Sequence, residues 1–453
     1  VNSRRAWLVL AVGVFAYLVA VTQRGTFGVA GVVATGRFET TAAALSTVAV
    51  VQIAVYGLLQ VPVGALLDRY GSRRILAVGA ALMAAGQLVV AFAPLLVVAG
   101  AGRVVLGCGD AFTFLAVIRL LPGWFPARML PQLLQWVGVL GSLGQVVSAL
   151  PFALLLREWG WEPAFVSAAA LGVLSAVLVL LFVRAGEPLP LTQPIPSGGG
   201  LAILRSALAR PGTQLGFWAH TLLASVPNLL SVLWGYPYLT VGVGLPIGTA
   251  ALVLGLFVAA SLVGGPLIGL VVARFPLRRS NLVMGVAVIS YGSLAMLLVW
   301  PGIPPLGVIM AAFLGIGVGG PGSMVGLDFA RTFNPSHAGG SASGIANSGG
   351  FIGAFVGMFL VGVLLDARAG HDAPVAVLYS YDAFRVAFLA PFAIGLIALV
   401  GLLLARRRTR ARMFLEDGII IAPFWVALFR RARGGRRDPD TRDGGGITPP
   451  TVR

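Results

Sequence analysis

Gly64-Ala-Leu-Leu-Asp68-Arg69-Tyr-Gly71-Ser-Arg73-Arg74 returns 205 residues later as Gly269-Leu-Val-Val-Ala273-Arg274-Phe-Pro-Leu-Arg278-Arg279. Gly107-Cys-Gly109 returns as Gly315-Ile-Gly317 at an offset of 208, and Gly141 with Gly144 returns as Gly350 with Gly353 at 209. Near-constant offsets over this distance read as an internal duplication. The chain therefore divides into two related halves.

The composition says what the halves are made of. Of 453 residues, 58% are hydrophobic and only 10% charged, against about 25% charged in a soluble globular protein. Apolar runs of about 20 residues, enough to cross a bilayer as helix, fall near 6–34, 44–67, 75–93, 95–119, 130–156, 163–183, 214–241, 247–273, 280–300, 306–328, 340–365 and 381–405. The first run follows Arg4 and Arg5 but continues too long for a cleaved leader and is read as a span. The expected fold is all-α: twelve transmembrane helices in two pseudo-symmetric six-helix bundles, residues 1–184 and 214–405. Parallel repeats of this kind form membrane carriers with a site between the halves near the midplane. Residues 185–213, with Pro188, Pro190, Pro194, Pro196 and Gly198-Gly-Gly200, read as a flexible linker.

All 32 basic residues are arginine, and the formal net charge is +17. The arginines gather in alternate loops: Arg4 and Arg5; Arg69, Arg73 and Arg74; Arg119 and Arg128; Arg184, Arg205 and Arg210; Arg274, Arg278 and Arg279; Arg331; and the stretch from Arg406. The opposite loops hold only Arg37, Arg157, Arg368 and Arg385. The positive-inside rule then places both termini in the cytoplasm and the protein in the cell (inner) membrane. It also accounts for the charge without nucleic acid. Residues 406–453 form a basic cytoplasmic tail, in which Gly418 to Arg430 is too short to span and reads as a segment lying on the anionic inner leaflet. The last twenty residues have a disordered composition.

Function is sought at the intramembrane charges, because an uncompensated guanidinium there costs roughly 2.5 to more than 10 kcal/mol. Arg24 stands in Tyr17-Leu-Val-Ala-Val-Thr-Gln-Arg24-Gly-Thr-Phe-Gly28, and Arg103 and Asp110 share one stripe of a later helix about 10.5 Å apart along its axis. Gly107 lies between them, and Gly28 and Gly31 follow Arg24, leaving room for a ligand. Two arginines against one carboxylate leave a surplus positive charge that an anionic substrate would neutralise. The alternative is a structural Arg103–Asp110 network with Arg24 reaching the headgroups. Tyr17, Gln145 and Asn347 are further candidate substrate contacts, and Ser343 shares the Asn347 helix.

Other features read as structural. Gly315-Ile-Gly317-Val-Gly-Gly320 matches GxGxxG but lacks a preceding strand. Gly349, Gly353 and Gly357 form a small-residue packing ladder. His220 reads as a satisfied polar residue, Cys108 as packing, and Asp328 with Arg331 as a local ion pair. Three histidines and one cysteine supply no clustered set, so no metal, cofactor or enzymatic centre is expected.

The Gly64 to Arg74 stretch resembles the signature loop between helices 2 and 3 of the major facilitator superfamily, nearly completely. Arg103-Val-Val-Leu-Gly107-Cys-Gly109 is similar to that superfamily's helix 4 Arg-Gly motif, and Gly160-Trp161-Glu-Pro-Ala-Phe165 also fits it. The resemblance covers residues 6–405 and implies a secondary transporter. It gives Gly64, Asp68, Arg69, Gly71, Arg73 and Arg74 a part in conformational gating. A narrower resemblance, of Gln23-Arg24-Gly-Thr26-Phe-Gly-Val-Ala30, is to the anion:cation symporter family. It implies that Arg24 and Arg103 bind substrate and that Asp110 couples protons, although that family usually has Glu there and often Asp in place of Gln23. Trp234-Gly-Tyr-Pro237-Tyr238-Leu239 is a looser echo. The expectation is a monomeric, proton-coupled symporter of a small organic anion working by alternating access. The alternative is a proton-coupled exporter of drug-like compounds, but Gly141-Ser-Leu-Gly144-Gln145 departs from the Gly-Pro-containing motif of such exporters.

Overall fold

The structure, a computed structural model, describes residues 3–40, 42–184, 199–369, 377 and 379–418. Among them eleven helices are long and apolar enough to cross a membrane. The first half holds α1 (Arg4–Val29), α2 (Ala42–Tyr70), α3 (Ser72–Ala91), α4 (Leu96–Leu120), α5 (Leu130–Val147) and α6 (Trp161–Phe182). The second holds α7 (Pro211–Gly242), α8 (Ile247–Arg274), α9 (Arg279–Val299), α10 (Leu306–Thr332), α11 (Gly339–Ala369) and α12 (Tyr381–Glu416). The run predicted at 130–156 is helical throughout. α5 widens into a π turn at Ser148–Phe152 and continues over Ala153–Trp159, Pro151 lacking the N–H that a regular helix would use.

Local chemistry explains the joints. Ser3 caps α1 by accepting the Ala6 N–H (3.3 Å). One residue, Gly71 at φ 77°, separates α2 from α3, and a left-handed joint of that length favours glycine. Gly160 at φ 85° does the same between the α5 extension and α6. Trp161 then anchors α6 by donating its indole N–H to the Val90 carbonyl (3.1 Å).

Two boundaries differ from the sequence reading. The second part of the 185–213 linker is a helix, Gly199–Ala209, whose Ala207 is fully buried; its Ile203, Leu204 and Ala207 pack into the same apolar cluster as Val63 of α2 and Ala342 of α11. An apolar stripe outweighed the glycines at its start. Helix continues one residue beyond the α12 span, to Asp417, and stops at Gly418 in the left-handed region (φ 65°), so the basic stretch from Arg406 begins as helix. The segment predicted to lie on the membrane surface falls, beyond Gly418, outside the described residues.

The duplication appears in the packing. Gly141 and Gly144 seat α5 on α1, against Tyr17 and the Leu18 carbonyl, while Gly350 and Gly353 seat α11 on α7, against His220 and Ser225. In the helix 4 and helix 10 pair the match shifts by two residues. Gly107 meets the Gln52 carbonyl of α2, and its counterpart meeting the Phe257 carbonyl of α8 is Gly317 rather than Gly315. α10 breaks at Val318, which moves the small residue along.

Among the described residues the apolar cluster shared by the two halves lies toward one end. At the arginine-rich end a single apolar cluster contains Leu67, Leu121 and Leu130 from the first half and Leu327, Ala338 and Ala342 from the second. At the opposite end each half has its own: Phe27, Phe152 and Trp161 in one, Tyr238, Phe313 and Phe384 in the other. A cleft between the halves is therefore closed at the arginine-rich end.

The glycine contacts predict a matched pair of effects. A Cβ at Gly144 would overlap the Leu18 carbonyl, whereas one at Gly28 would meet nothing within 4 Å. Gly144→Ala should lower stability by about 1–3 kcal/mol, the usual cost of overpacking, and Gly28→Ala should leave it nearly unchanged. Melting temperatures of the purified variants in detergent decide this, and equal melting points would contradict the packing described.

Candidate functional site

Arg24, five residues before α1 ends at Val29, faces Tyr56 of α2 on the cleft side. It does not stand alone. Its Nε donates to Asp110 Oδ2 at 2.7 Å and its Nη2 to Oδ1 at 2.8 Å, a two-pronged pair with α4. Asp110 is 1% exposed and the Arg24 side chain 31%, so the carboxylate is sealed while the guanidinium keeps one side open. Tyr56 of α2 lies under that guanidinium, 4.9 Å from its ring centroid.

This corrects the sequence reading, which left Arg24 uncompensated and set Asp110 against Arg103. Two helical turns separate Arg103 from Asp110 on one helix, too far for a direct bond, whereas α1 crosses α4 at the depth of Asp110. Arg103, 1% exposed, does not line the cleft. It lies behind α1 and donates to main-chain and hydroxyl oxygens: Gln23 O (3.2 Å), Thr26 Oγ1 (3.4 Å) and Arg24 O (2.8 Å), with the Phe27 ring 5.2 Å away. Gln87 of α3 joins by donating to Thr26 Oγ1 (3.0 Å), and Gln23 donates to the Ala168 carbonyl of α6 (2.7 Å). Gln23, Gln87 and Arg103 thus form one buried polar knot that fastens α1 to α3, α4 and α6.

The other predicted contacts are spread along the cleft. The Tyr17 ring packs over Gly141 and 5.0 Å from Phe114. Asn347 of α11 is buried and donates to Gln60 Oε1 of α2 at 2.5 Å, and Gln60 donates to the Tyr56 carbonyl at 3.0 Å. Gln145 is exposed on α5, one turn before the π turn. Tyr56 and Gln60 were missed from sequence because they are common helix residues. Their spacing of one turn on the helix that carries Gly64 was the available signal.

At the closed end, Gly64 approaches α11 so nearly that its Cβ would lie 2.5 Å from the Gly340 carbonyl. Asp68 accepts the Gly340 and Ser341 backbone N–H groups, both at 2.7 Å, and so caps the first turn of α11. Arg119 stands 3.8 Å from Asp68 and donates to the Ser336 carbonyl at 2.7 Å. The repeat-related contact is unlike it: Gly269 of α8 rests on Gln132 of α5, Ala273 replaces Asp68, and Gln135 donates to the Pro321 carbonyl (3.0 Å). Arg73 donates to the Leu180 carbonyl (2.6 Å), tying α3 to α6, while the Arg69 guanidinium lies 5.2 Å from the Tyr70 ring and Arg74 is exposed.

Asp328 accepts from Arg331 (2.5 Å), as the spacing predicts, and also from Arg279 of α9, which the sequence reading did not anticipate. His220 Nδ1 donates to the Ser323 carbonyl (3.0 Å), joining α7 to α10. Among the described residues no group of three His, Cys, Asp or Glu side chains is placed to hold a metal.

Two duplicated bundles meeting at one end, with a charged pair in the cleft, are the architecture of a carrier, and the comparison with known families is decisive. The Major Facilitator Superfamily model matches residues 13–358. This chain belongs to the Major Facilitator Superfamily. Its long apolar helices make it a multi-pass membrane protein. A protein of Escherichia coli (strain K12) named "Probable galactarate/D-glucarate transporter GarP" is 25% identical over 188 residues, 39% of this chain and 41% of that protein. The protein named "Probable L-galactonate transporter" from the same strain is 24% identical over 182 residues, 39% of each. The matches thus span about two-fifths of these relatives.

The buried knot makes a prediction about this superfamily member's stability. Arg103→Lys retains a charge but cannot reach three oxygens with one ammonium, so about 2 kcal/mol should be lost, the scale of one charge-assisted hydrogen bond. A melting temperature equal to that of the parent protein would show that the α1 carbonyls do not need the guanidinium fork.

Proposed function

We propose that this transporter carries a small organic anion, a polyhydroxylated carboxylate, together with a proton by alternating access. The observation that carries the reading is the Arg24–Asp110 pair: a sealed carboxylate holding the Nε–Nη2 edge of a guanidinium that is itself open to the cleft. A proton on Asp110 removes the charge that holds Arg24. The released fork then matches a substrate carboxylate in the same two-pronged geometry. Arg103 supports this exchange by holding the stretch of α1 backbone that carries Arg24. Tyr17, Tyr56, Gln60, Asn347 and Gln145 supply hydroxyl and amide groups suited to a hydroxylated body. The names of the two relatives, both sugar-acid transporters, favour the same substrate class.

Gating is assigned to the closed end. Gly64 and Gly340 let α2 and α11 meet, and Asp68 latches them through the first turn of α11, with Gly71 setting the tight joint and Arg69, Arg73 and Arg74 holding the rim. By the positive-inside rule this end and both termini are cytoplasmic, in the cell (inner) membrane, and the cleft faces outward. One chain contains both halves of the cleft, so a monomer suffices.

Uptake into proteoliposomes under an imposed pH gradient, across carboxylates, sugar acids and cationic drugs, tests the substrate class. Accumulation of cations and not of acids would overturn it. Asp110→Asn mimics the protonated state and should keep substrate exchange while losing accumulation driven by the pH difference, and Arg24→Lys should weaken substrate affinity about tenfold through loss of the fork. Concentrative uptake by Asp110→Asn under a pH gradient alone would remove Asp110 as the coupling site.

Asp68→Asn leaves an amide that accepts more weakly from the Gly340 and Ser341 N–H groups. It should slow turnover more than it weakens substrate binding, measured as exchange rate against affinity. Weakened binding with unchanged turnover would contradict a latch.

A further inference from the structure

Below the latch, at the arginine-rich end, a cavity of about 280 Å³ opens between the halves. The first half lines it with Arg119, Leu130 and Leu134, the second with Leu327, Arg331 and Asn334, and no acidic residue is on its wall. The two guanidiniums keep 24% and 28% of their side-chain surface exposed. Arg119 Nε and Asn334 Oδ1 are buried and have no hydrogen-bond partner.

The local charges do not cancel. Arg119, Arg279 and Arg331 face Asp68 and Asp328, three cations against two carboxylates. Asp68 is also engaged by two backbone N–H groups of α11, and Asp328 is shared by two arginines. One positive charge is left over beside a cavity whose wall is otherwise mainly aliphatic, its other polar residues being Asn334, Ser336 and Ser343.

We infer that this cavity is a second anion site, separate from the cleft, which takes a small amphipathic carboxylate and holds the closed arrangement of this end. The carboxylate sits between Arg119 and Arg331, and an apolar body of a few carbons lies against Leu130, Leu134 and Leu327. Because the walls come from both halves, the site is whole only while they meet here. A ligand that binds one arrangement and not the other shifts the population toward it, so occupancy slows opening at this end. The site does not depend on what the cleft carries.

The probe is hexanoate, with hexanamide as the uncharged control, added to the purified full-length protein while its melting temperature is followed. Hexanoate should raise the melting temperature saturably and hexanamide should not. Arg331→Gln, which removes one guanidinium, and Leu134→Trp, which fills the cavity with the charges intact, should each weaken the hexanoate response about tenfold or more, the scale of one charge-assisted hydrogen bond. Arg24→Ala should leave it unchanged. The site is overturned if hexanoate gives no saturable rise, if hexanamide acts equally, or if both cavity variants respond as the parent does. Loss of the response in Arg24→Ala overturns it too, by placing the anion in the cleft.

Discussion

A guanidinium at the depth of a bilayer has to be answered by the protein, and the first half is arranged around two of them. Arg103 is answered by carbonyl oxygens of α1 that already accept helical hydrogen bonds and use their second lone pairs here. That contact sets how α1 lies on α4 to within hydrogen-bond tolerance. Arg24, on the next position of α1 after Gln23, is thereby carried to Asp110. The charged pair in the cleft thus depends on a buried cation that never reaches it.

The second constraint is the approach of backbone to backbone. Gly64 against Gly340, and Gly344 against the Gln60 carbonyl, allow α2 and α11 to meet with no side chain between them. Asp68 turns that proximity into a charged cap. The repeat-related meeting of α8 and α5 has the small residue but not the acid, and uses a neutral glutamine instead. Closing is therefore an asymmetric event in a nearly symmetric frame, with the ionic part concentrated beside α2. The surplus charge at the arginine-rich end comes from the second half, where the single carboxylate of Asp328 answers both Arg279 and Arg331.

Helix number, order and the duplication were legible in the sequence because they rest on local properties. Hydrophobic runs of bilayer length and arginines at their ends need no partner to be recognised. Gly71 and Gly160 marked joints that the structure places in the left-handed region. The run 199–209 was misread because flanking glycines and prolines hid a short amphipathic helix whose burial comes from α2 and α11. The final helix ran past its apolar end because arginine is itself a good helix former.

The charged residues of the site were legible as types and positions, and their pairing was not. Spacing along one helix suggested Arg103 with Asp110, while the crossing of two helices gives Asp110 to Arg24 and Arg103 to the α1 backbone. Asp328 shows the same split: its bond to Arg331 is visible three residues away, and its bond to Arg279 appears only when α9 lies beside α10. A sequence determines which groups must be satisfied, since burial in hydrocarbon forbids leaving them alone. Only tertiary structure decides which partner satisfies each, because that depends on where separate helices cross.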